Sequence, residues 1–494
     1  MEKQGAGKCS HEIWFAIFTS FALCFVLLCF DYSTLMVADK RVTLLANNRK
    51  NPIEISKNKT SLVTGNSSSY DACSGRYVYI HKLPSRFNYD LLKNCKSLTR
   101  GTQDSMCPYL VNLGFGPEIY DPEGVLSKNS WFSTNQFLLE VIFHNKMMHY
   151  KCLTNVSAQA SAIFVPFYAG LDVSLRLWNS NLTIRDSSAR DLLEWLSRRK
   201  EWKRMWGRDH FLIGGRIAWD FRRQTDEISD WGSKLRFLPE SKNMSMLSIE
   251  SSAWQNDYAI PYPTNFHPWE ISVVDQWQSR MRNQSRPNLF TFVGAPRPEL
   301  NKTIRGKIID QCIVSKGCKF IDCDSVENNC SNPVNVIKVF RSSVYCLQPS
   351  GDSYTRRSTF DAILAGCIPV FFHPGSAYAQ YLWYFPNNHT KYSVYIPVKD
   401  VSDLKEGDIE KVLVGISKEE QVRMREEVLK LIPKIVYADP RSGLVSFEDA
   451  FDLAVKGMLK RIEEVRRVIR EGKDPSIGFA DGDDYKYTFS ENVR

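Results

Sequence analysis

The stretch Val344 to Phe372, VYCLQPSGDSYTRRSTFDAILAGCIPVFF, limits the folds open to this chain more than any other. It reads as strand, loop, helix, strand. Val344–Leu347 is short and apolar, and Pro349, Ser350 and Gly351 break it. Phe360, Ile363 and Leu364 then fall at the offsets that make one apolar helix face. Gly366 stands where a helix C-cap wants a residue free to take positive φ. Ile368–Phe372 is a second buried run. Two apolar strands joined through a helix make a βαβ unit, which implies a parallel sheet.

The same alternation runs through the chain. Tyr77–Ile80, Ala162–Tyr168 and Phe211–Ile213 read as strands; Asn135–Tyr150 and Ser187–Trp206 have helical spacing. Asn256–Trp269 is rich in Pro and Tyr, and Ile271–Arg282 follows as helix. Asn288–Val293 opens a second series. Ile304–Cys312 is helical, Lys319–Asp322 extended, and Val334–Phe340 helical before the βαβ unit. Tyr392–Pro397 is a strand, and Lys418–Ile432 and Ser446–Arg470 are helices. The fold class expected is α/β in two doubly wound halves, residues 73–285 and 286–472, with a loose tail over 473–494. The net charge of +9 is spread along the chain rather than gathered on one element, which argues against nucleic-acid binding.

Ile13–Phe30 is uncharged and almost wholly apolar. At ~1.5 Å per residue it spans ~27 Å, enough for a bilayer core. Lys3 and Lys8 precede it and Asp31 follows, so residues 1–12 are expected in the cytosol and everything after Phe30 in the lumen. A cleaved signal peptide is the rival reading, but Phe30-Asp31-Tyr32 is a poor cleavage site. Residues 31–72 are polar and read as a stem. Of 13 cysteines, Cys9, Cys24 and Cys29 lie in or before the anchor, which leaves ten for an oxidising compartment. Cys312, Cys318, Cys323 and Cys330 crowd together without zinc-site spacing and imply local disulfides. Cys346 and Cys367 read as plain core thiols. Glycosylation sequons begin at Asn58, Asn66, Asn155, Asn181, Asn243, Asn283, Asn301 and Asn388. A further one at Asn329 is weakened by the neighbouring Cys330.

The chemistry of the βαβ unit lies between its first strand and its helix. Ser350, Gly351, Asp352, Ser353, Tyr354 and Thr355 bring small and hydroxyl residues there, and Arg356 and Arg357 follow. A helix start offers N–H groups and partial positive charge to a phosphate. Arg adds a planar fork for two phosphate oxygens. Arg357 and Asp361 are four apart and share a face. One suits a diphosphate, the other ribose hydroxyls; the plainer reading is an ion pair on a solvated face. No Gly-rich phosphate fingerprint is present.

The long segment GDSYTRRSTFDAILAGCIPVFFHPGSAY, with NQFLLEVIFH, ASAIFVPFYAGLDV, GRDHFLIGGRIAWDFRR, NMSMLSIESS, FVGAPRP and YADPRS, resembles the exostosin-type glycosyltransferases. The likeness is greater to their plant xyloglucan galactosyltransferase branch and covers roughly Cys73 to Arg461. It implies two Rossmann-like domains of the GT-B type, an acceptor side in the first and a nucleotide-sugar site in the second. It also implies a Golgi type II single-pass membrane enzyme that transfers β-galactose from UDP-galactose to xylosyl side chains of xyloglucan, with inversion and without a metal. Other Golgi glycosyltransferases would be further partners. Transfer of arabinose or galacturonic acid on the same fold is one alternative. A non-catalytic glycan-binding subunit of a polysaccharide synthase complex is another.

Inversion needs a base for the acceptor hydroxyl. Gly207-Arg208-Asp209-His210 precedes a strand, so His210 or Asp209 is the first candidate, against a structural pairing of Asp209 with Arg208 or Arg216. His81 and Glu140 rank second. Ser353, Arg356, Arg357 and Asp361 are the expected donor residues, with His373 and Ser376 beside the diphosphate or sugar unless they only shape a turn. Asp322-Cys323-Asp324 is formally the D-x-D pattern of metal-dependent glycosyltransferases, but a three-residue pattern arises easily, and the arginines already supply positive charge. Most tryptophans are core; Trp219, Trp254 and Trp269 lie near loops and are the candidates for stacking on acceptor sugars.

Overall fold

A computed structural model of the chain describes residues 71–98, 105–177, 181–252, 256–296, 304–328, 330–398, 404–405, 407–443 and 445–475. The expected cytosolic tail, anchor and nearly all of the stem lie outside these, as do Asn58, Asn66, Asn301, Trp254 and most of the tail. No described helix is long and apolar enough to cross a membrane. The chain divides into two compact units, residues 71–462 with 478–494, and residues 1–70 with 463–477. Of the second unit, the described part is the end of the last helix and the turn after it.

The first unit holds two five-stranded, wholly parallel sheets. In the first sheet, β1 (Tyr77–Ile80), β2 (Ala160–Phe164), β3 (His210–Ile217), β4 (Ser245–Glu250) and β5 (Asp257–Ala259) lie side by side in chain order. Helices α1 (Tyr89–Lys93), α2 (Leu139–Met148), α3 (Ala169–Arg176), α4 (Leu182–Ser197) and α5 (Lys200–Met205) intervene along the chain, and α6 (Ile271–Arg282) follows β5. The second sheet contains β6 (Asn288–Gly294), β7 (Cys318–Asp322), β8 (Ser343–Gln348), β9 (Ile368–Phe371) and β10 (Val394–Tyr395). Its helices are α7 (Ile304–Val314), α8 (Pro333–Arg341), α9 (Ser358–Leu364), α10 (Asp408–Val414), α11 (Lys418–Ile435) and α12 (Ala450–Arg470).

Strand order in the second sheet is β10-β9-β8-β6-β7. The chain builds outward from β6 to one side, then returns to build β8, β9 and β10 on the other. That reversal between β6 and β8 is a topological switch point, where open α/β sheets bind ligands outside the carboxyl ends of their strands. Every residue of β8 and β9 is buried, as expected of a parallel strand covered on both faces. Gly366 takes φ +62° behind α9, as a C-cap there demands.

Three expectations change. Ser187–Trp206 is not one helix: Arg199 is extended between α4 and α5. The strand β4 has no counterpart among the expected ones, because its Ser-rich sequence SMLSIE lacks an apolar alternation. Cys346 and Cys367 are not free thiols but a disulfide that ties β8 to the foot of β9. The other pairs are Cys73–Cys152, Cys95–Cys107, Cys312–Cys318 and Cys323–Cys330, so the two local bridges expected in the crowded loop are present.

The C-terminal segment comes back to the first sheet. Lys146 on α2 makes a buried ion pair with Asp449 at 2.7 Å and donates to the Ala438 carbonyl at 2.8 Å. Phe451 packs on Phe143 with ring centroids 4.7 Å apart.

Candidate functional site

The two sheets meet at the loop that follows β8. The carboxylate of Glu250, the last residue of β4, accepts from the Thr355 N–H at 2.7 Å and the Thr355 hydroxyl at 2.6 Å. The Ser353 hydroxyl also hydrogen-bonds it. Tyr262 places its hydroxyl 3.0 Å from Thr355 Oγ1. Burial pushes the Glu250 carboxyl up, and the bonds from Thr355 and Ser353 pull it back. The loop of the second sheet is thus fixed by a carboxylate of the first.

Arg357 comes next, where that loop enters α9. Its Nη1 donates to the Thr134 carbonyl of the first half at 2.8 Å. Its Nε and Nη2 are buried with no hydrogen-bond acceptor among the described residues. Asp361, one turn on, leaves an oxygen 3.8 Å from Nε, and burial pushes its carboxyl up despite the arginine. Both line a cavity of about 310 Å³ between the halves, with Thr134, Asn135, Asn265 and Pro333. A guanidinium beside a cavity, with two N–H groups that make no hydrogen bond among the described residues, suits an anion. Gln348 Nε2, at the end of β8, and Ser376 Oγ, after β9, are likewise buried without a partner among the described residues.

Arg356 donates from Nε to the Ser358 hydroxyl at 3.3 Å. His373 accepts the Gly375 N–H on Nδ1 at 3.0 Å and stacks on Tyr354 with centroids 4.3 Å apart. Its ring caps the turn Pro374–Ser376. Burial lowers its pKa, and the neutral ring then carries its proton on Nε2.

The residues expected to include the base lie outside the lining of that cavity. His210 is the first residue of β3 and Arg216 is near its end, six steps or ~20 Å away. His210 and Asp209 are both fully buried. His210 Nδ1 is 2.8 Å from Asp209, which pairs with Arg204. His81 sits 3.1 Å from His210, and burial with that neighbour lowers its pKa to about 3. This network fixes the amino end of β3, and His210, Asp209 and His81 are not among the residues that line the cavity.

Glu140 is buried as well. Its carboxylate accepts from the N–H groups of Gly170 at 2.5 Å, Gly215 at 2.9 Å and Leu171 at 3.3 Å. Burial pushes it up to about 8 against those donors and Arg216. It ties α2 to the start of α3 and the end of β3, and it supports the site's floor without facing it.

Trp219 is exposed in the turn that follows β3. Trp269 is half-buried, and Ser442 holds its carbonyl. Asp322 accepts the Asp324 N–H at 2.9 Å and Cys323 is bridged, so the D-x-D closes a turn. No group of three or more His, Cys, Asp or Glu side chains among the described residues is placed to hold a metal ion. Glu250, Tyr262, Thr134 and Asp220 were not singled out by sequence reasoning. Glu250 and Asp220 stand inside quoted segments, NMSMLSIESS and GRDHFLIGGRIAWDFRR, but carry no spacing signal of their own.

The sequence is 61% identical to the Arabidopsis thaliana protein "Probable xyloglucan galactosyltransferase GT14" over 97% of this chain and 93% of that one. It is 51% identical to the Arabidopsis thaliana "Xyloglucan galactosyltransferase MUR3" over 85% of this chain and 68% of that one. Identity is 49% to the Arabidopsis thaliana "Probable xyloglucan galactosyltransferase GT12" over 94% of each. Among solved structures, a "Crystal structure of GtfA/B complex" overlaps 56% of this chain and 60% of that one at 12% identity, with a TM-score of 0.27, too low to bear on the fold. The Exostosin GT47 domain matches residues 72–411, the span that contains both sheets and the cavity between them, and the chain belongs to that family.

Proposed function

We propose that this protein is a glycosyltransferase that moves galactose from UDP-galactose to the xylosyl side chains of xyloglucan, with inversion. The observation that carries the nucleotide half is the Arg357 fork: one arm is anchored on Thr134, two further N–H groups make no hydrogen bond among the described residues, and the residue lines the inter-sheet cavity. The donor's diphosphate would take those N–H groups and Asp361 would accept from the ribose hydroxyls. Galactose and xyloglucan come from the names of the relatives, one of them 61% identical.

In this reading the two sheets are the halves of a GT-B enzyme. The acceptor approaches from the first half and its hydroxyl attacks the anomeric carbon opposite the leaving UDP. Arg357 and Arg356 take up the charge that grows on the diphosphate, which a metal would otherwise meet, so no divalent cation is needed. Glu250 positions the donor loop by holding Thr355. A Golgi lumenal body behind a membrane anchor is supported by the five disulfides. Asn155, Asn181, Asn283 and Asn388 are exposed, as glycan acceptors must be, whereas Asn243 is half-buried and donates to the Trp206 carbonyl.

A panel of nucleotide sugars offered with xyloglucan oligosaccharides tests the proposal, with product linkage read by mass spectrometry and NMR. Galactose should appear on xylose with β configuration. Transfer of arabinose or galacturonic acid alone would displace the sugar assignment. No transfer with any donor would displace the enzyme.

A further inference from the structure

We infer that Trp219 and Trp231 form a preorganised platform for the neutral glycan chain of the acceptor, at the carboxyl edge of β3. The inference rests on the proposed function for the identity of that glycan, and on the following geometry for the site.

Both indoles are exposed, Trp219 by 48% and Trp231 by 38%, although the backbone that carries them is fixed. Trp219 lies in the turn Ala218–Phe221 directly after β3. Trp231 lies twelve residues on, in a loop returned to the same turn. The Ser233 N–H donates to the Asp220 carbonyl at 2.9 Å, and the Arg223 N–H donates to the Ser233 carbonyl at 2.9 Å. Gly232 takes φ +87°, and a Cβ there would meet the Asp220 carbonyl at 2.6 Å, so only glycine allows this approach. At the root of the loop, Arg223 makes a buried ion pair with Asp186 at 2.7 Å.

The ring of Trp231 is fixed as well. Its Nε1–H donates to Asp220 Oδ1 at 2.6 Å, while Arg216 donates to Asp220 Oδ2 at 2.5 Å. Arg216 also donates to the Ser174 hydroxyl at 3.0 Å. The charges of Asp220 and Arg216 therefore neutralise each other, and both tryptophans stay exposed. Exposed indoles on a fixed backbone suit the C–H faces of sugars, and the exposed carboxylates of Asp226 and Glu227 in the same loop disfavour an anionic polymer. The platform lies on the reacting side: Ile217, the last residue of β3 and the one before the Trp219 turn, pairs with Glu250 of β4, and Glu250 holds the loop that leads to Arg357.

The test is calorimetric titration of the lumenal protein with xyloglucan oligosaccharides, for wild type and for Trp219→Ala, Trp231→Ala and Trp231→Phe. UDP affinity and thermal midpoint are measured on each. Each alanine variant should bind the oligosaccharide about tenfold more weakly, with UDP affinity kept. Trp231→Phe, which keeps an aromatic face but loses the Nε1–H bond to Asp220, should recover only part of the loss. Unchanged oligosaccharide affinity in both alanine variants overturns the platform, as does a wild type that binds no xyloglucan oligosaccharide. Weakened oligosaccharide binding in a protein that transfers no galactose keeps the platform and removes the proposed function.

Discussion

At the scale of single residues, the donor proposal stands on Arg357. Each charge-assisted hydrogen bond to phosphate is worth ~1.5–3 kcal/mol. Arg357→Ala should therefore weaken UDP binding by about 10- to 150-fold. Arg357→Lys should recover little, because an ammonium offers a point charge in place of a fork. Calorimetry with UDP measures both, and an unchanged affinity in the alanine variant would remove Arg357 from the donor site. The Arg357–Asp361 pair was legible in the sequence because partners four apart on one helix need no tertiary information. Glu250 was not, since its partner Thr355 is 105 residues away and only the meeting of two sheets brings them together. The placement of His210 is a different matter. It precedes its strand, and in a parallel sheet a residue before a strand sits at the amino edge, opposite the ligand crevice. Chain order alone contained that correction.

At the scale of elements, the βαβ unit was readable because two short apolar runs and an amphipathic stretch have different periods. Its covalent lock was not, since a buried cysteine reads as a small hydrophobe whether or not it is bridged. Cys346 and Cys367 are 21 apart in sequence, and their bond closes a loop around the arginine segment and α9. A closed loop of this size is worth ~3 kcal/mol through the unfolded chain. The paired change Cys346→Ala with Cys367→Ala should lower unfolding free energy in urea by about that amount. It should also loosen the donor loop, seen as faster amide exchange between Ser350 and Leu364. A variant as stable as the wild type would mean the bond constrains little. The same scale explains β4 and the α4–α5 break: neither has a Gly, a Pro or a clean apolar period at its boundaries. The fully buried β4 is made a strand by its neighbours β3 and β5.

At the scale of the molecule, many contacts join the two halves, among them Glu250 with Thr355 at the site and Lys146 with Asp449 behind it. The second joint contains a group that titrates near neutrality. Asp452, one turn into α12, accepts the Asp449 N–H at 3.2 Å. Burial and the Asp449 charge push its carboxyl up from 3.8 to about 7. Between those values the folded protein keeps a proton that the unfolded chain has released. Stability therefore falls as pH rises across that window, by up to ~1.4 kcal/mol per pH unit, and the full cost stands above pH 7. Three buried histidines act in the opposite sense. His81 and His267 are lowered to about 3 and His144 to about 4, so the unfolded chain takes up protons below 6.5 and stability falls as pH drops. A bare pH profile mixes the two effects. Asp452→Asn separates them, because Asn keeps the acceptor for the Asp449 N–H and never ionises. The variant's advantage over wild type in urea unfolding should be small at pH 4 and grow steadily to pH 7, then level off. A difference that stays flat across that range would mean that Asp452 is already ionised in the fold and that the joint between the halves is indifferent to pH.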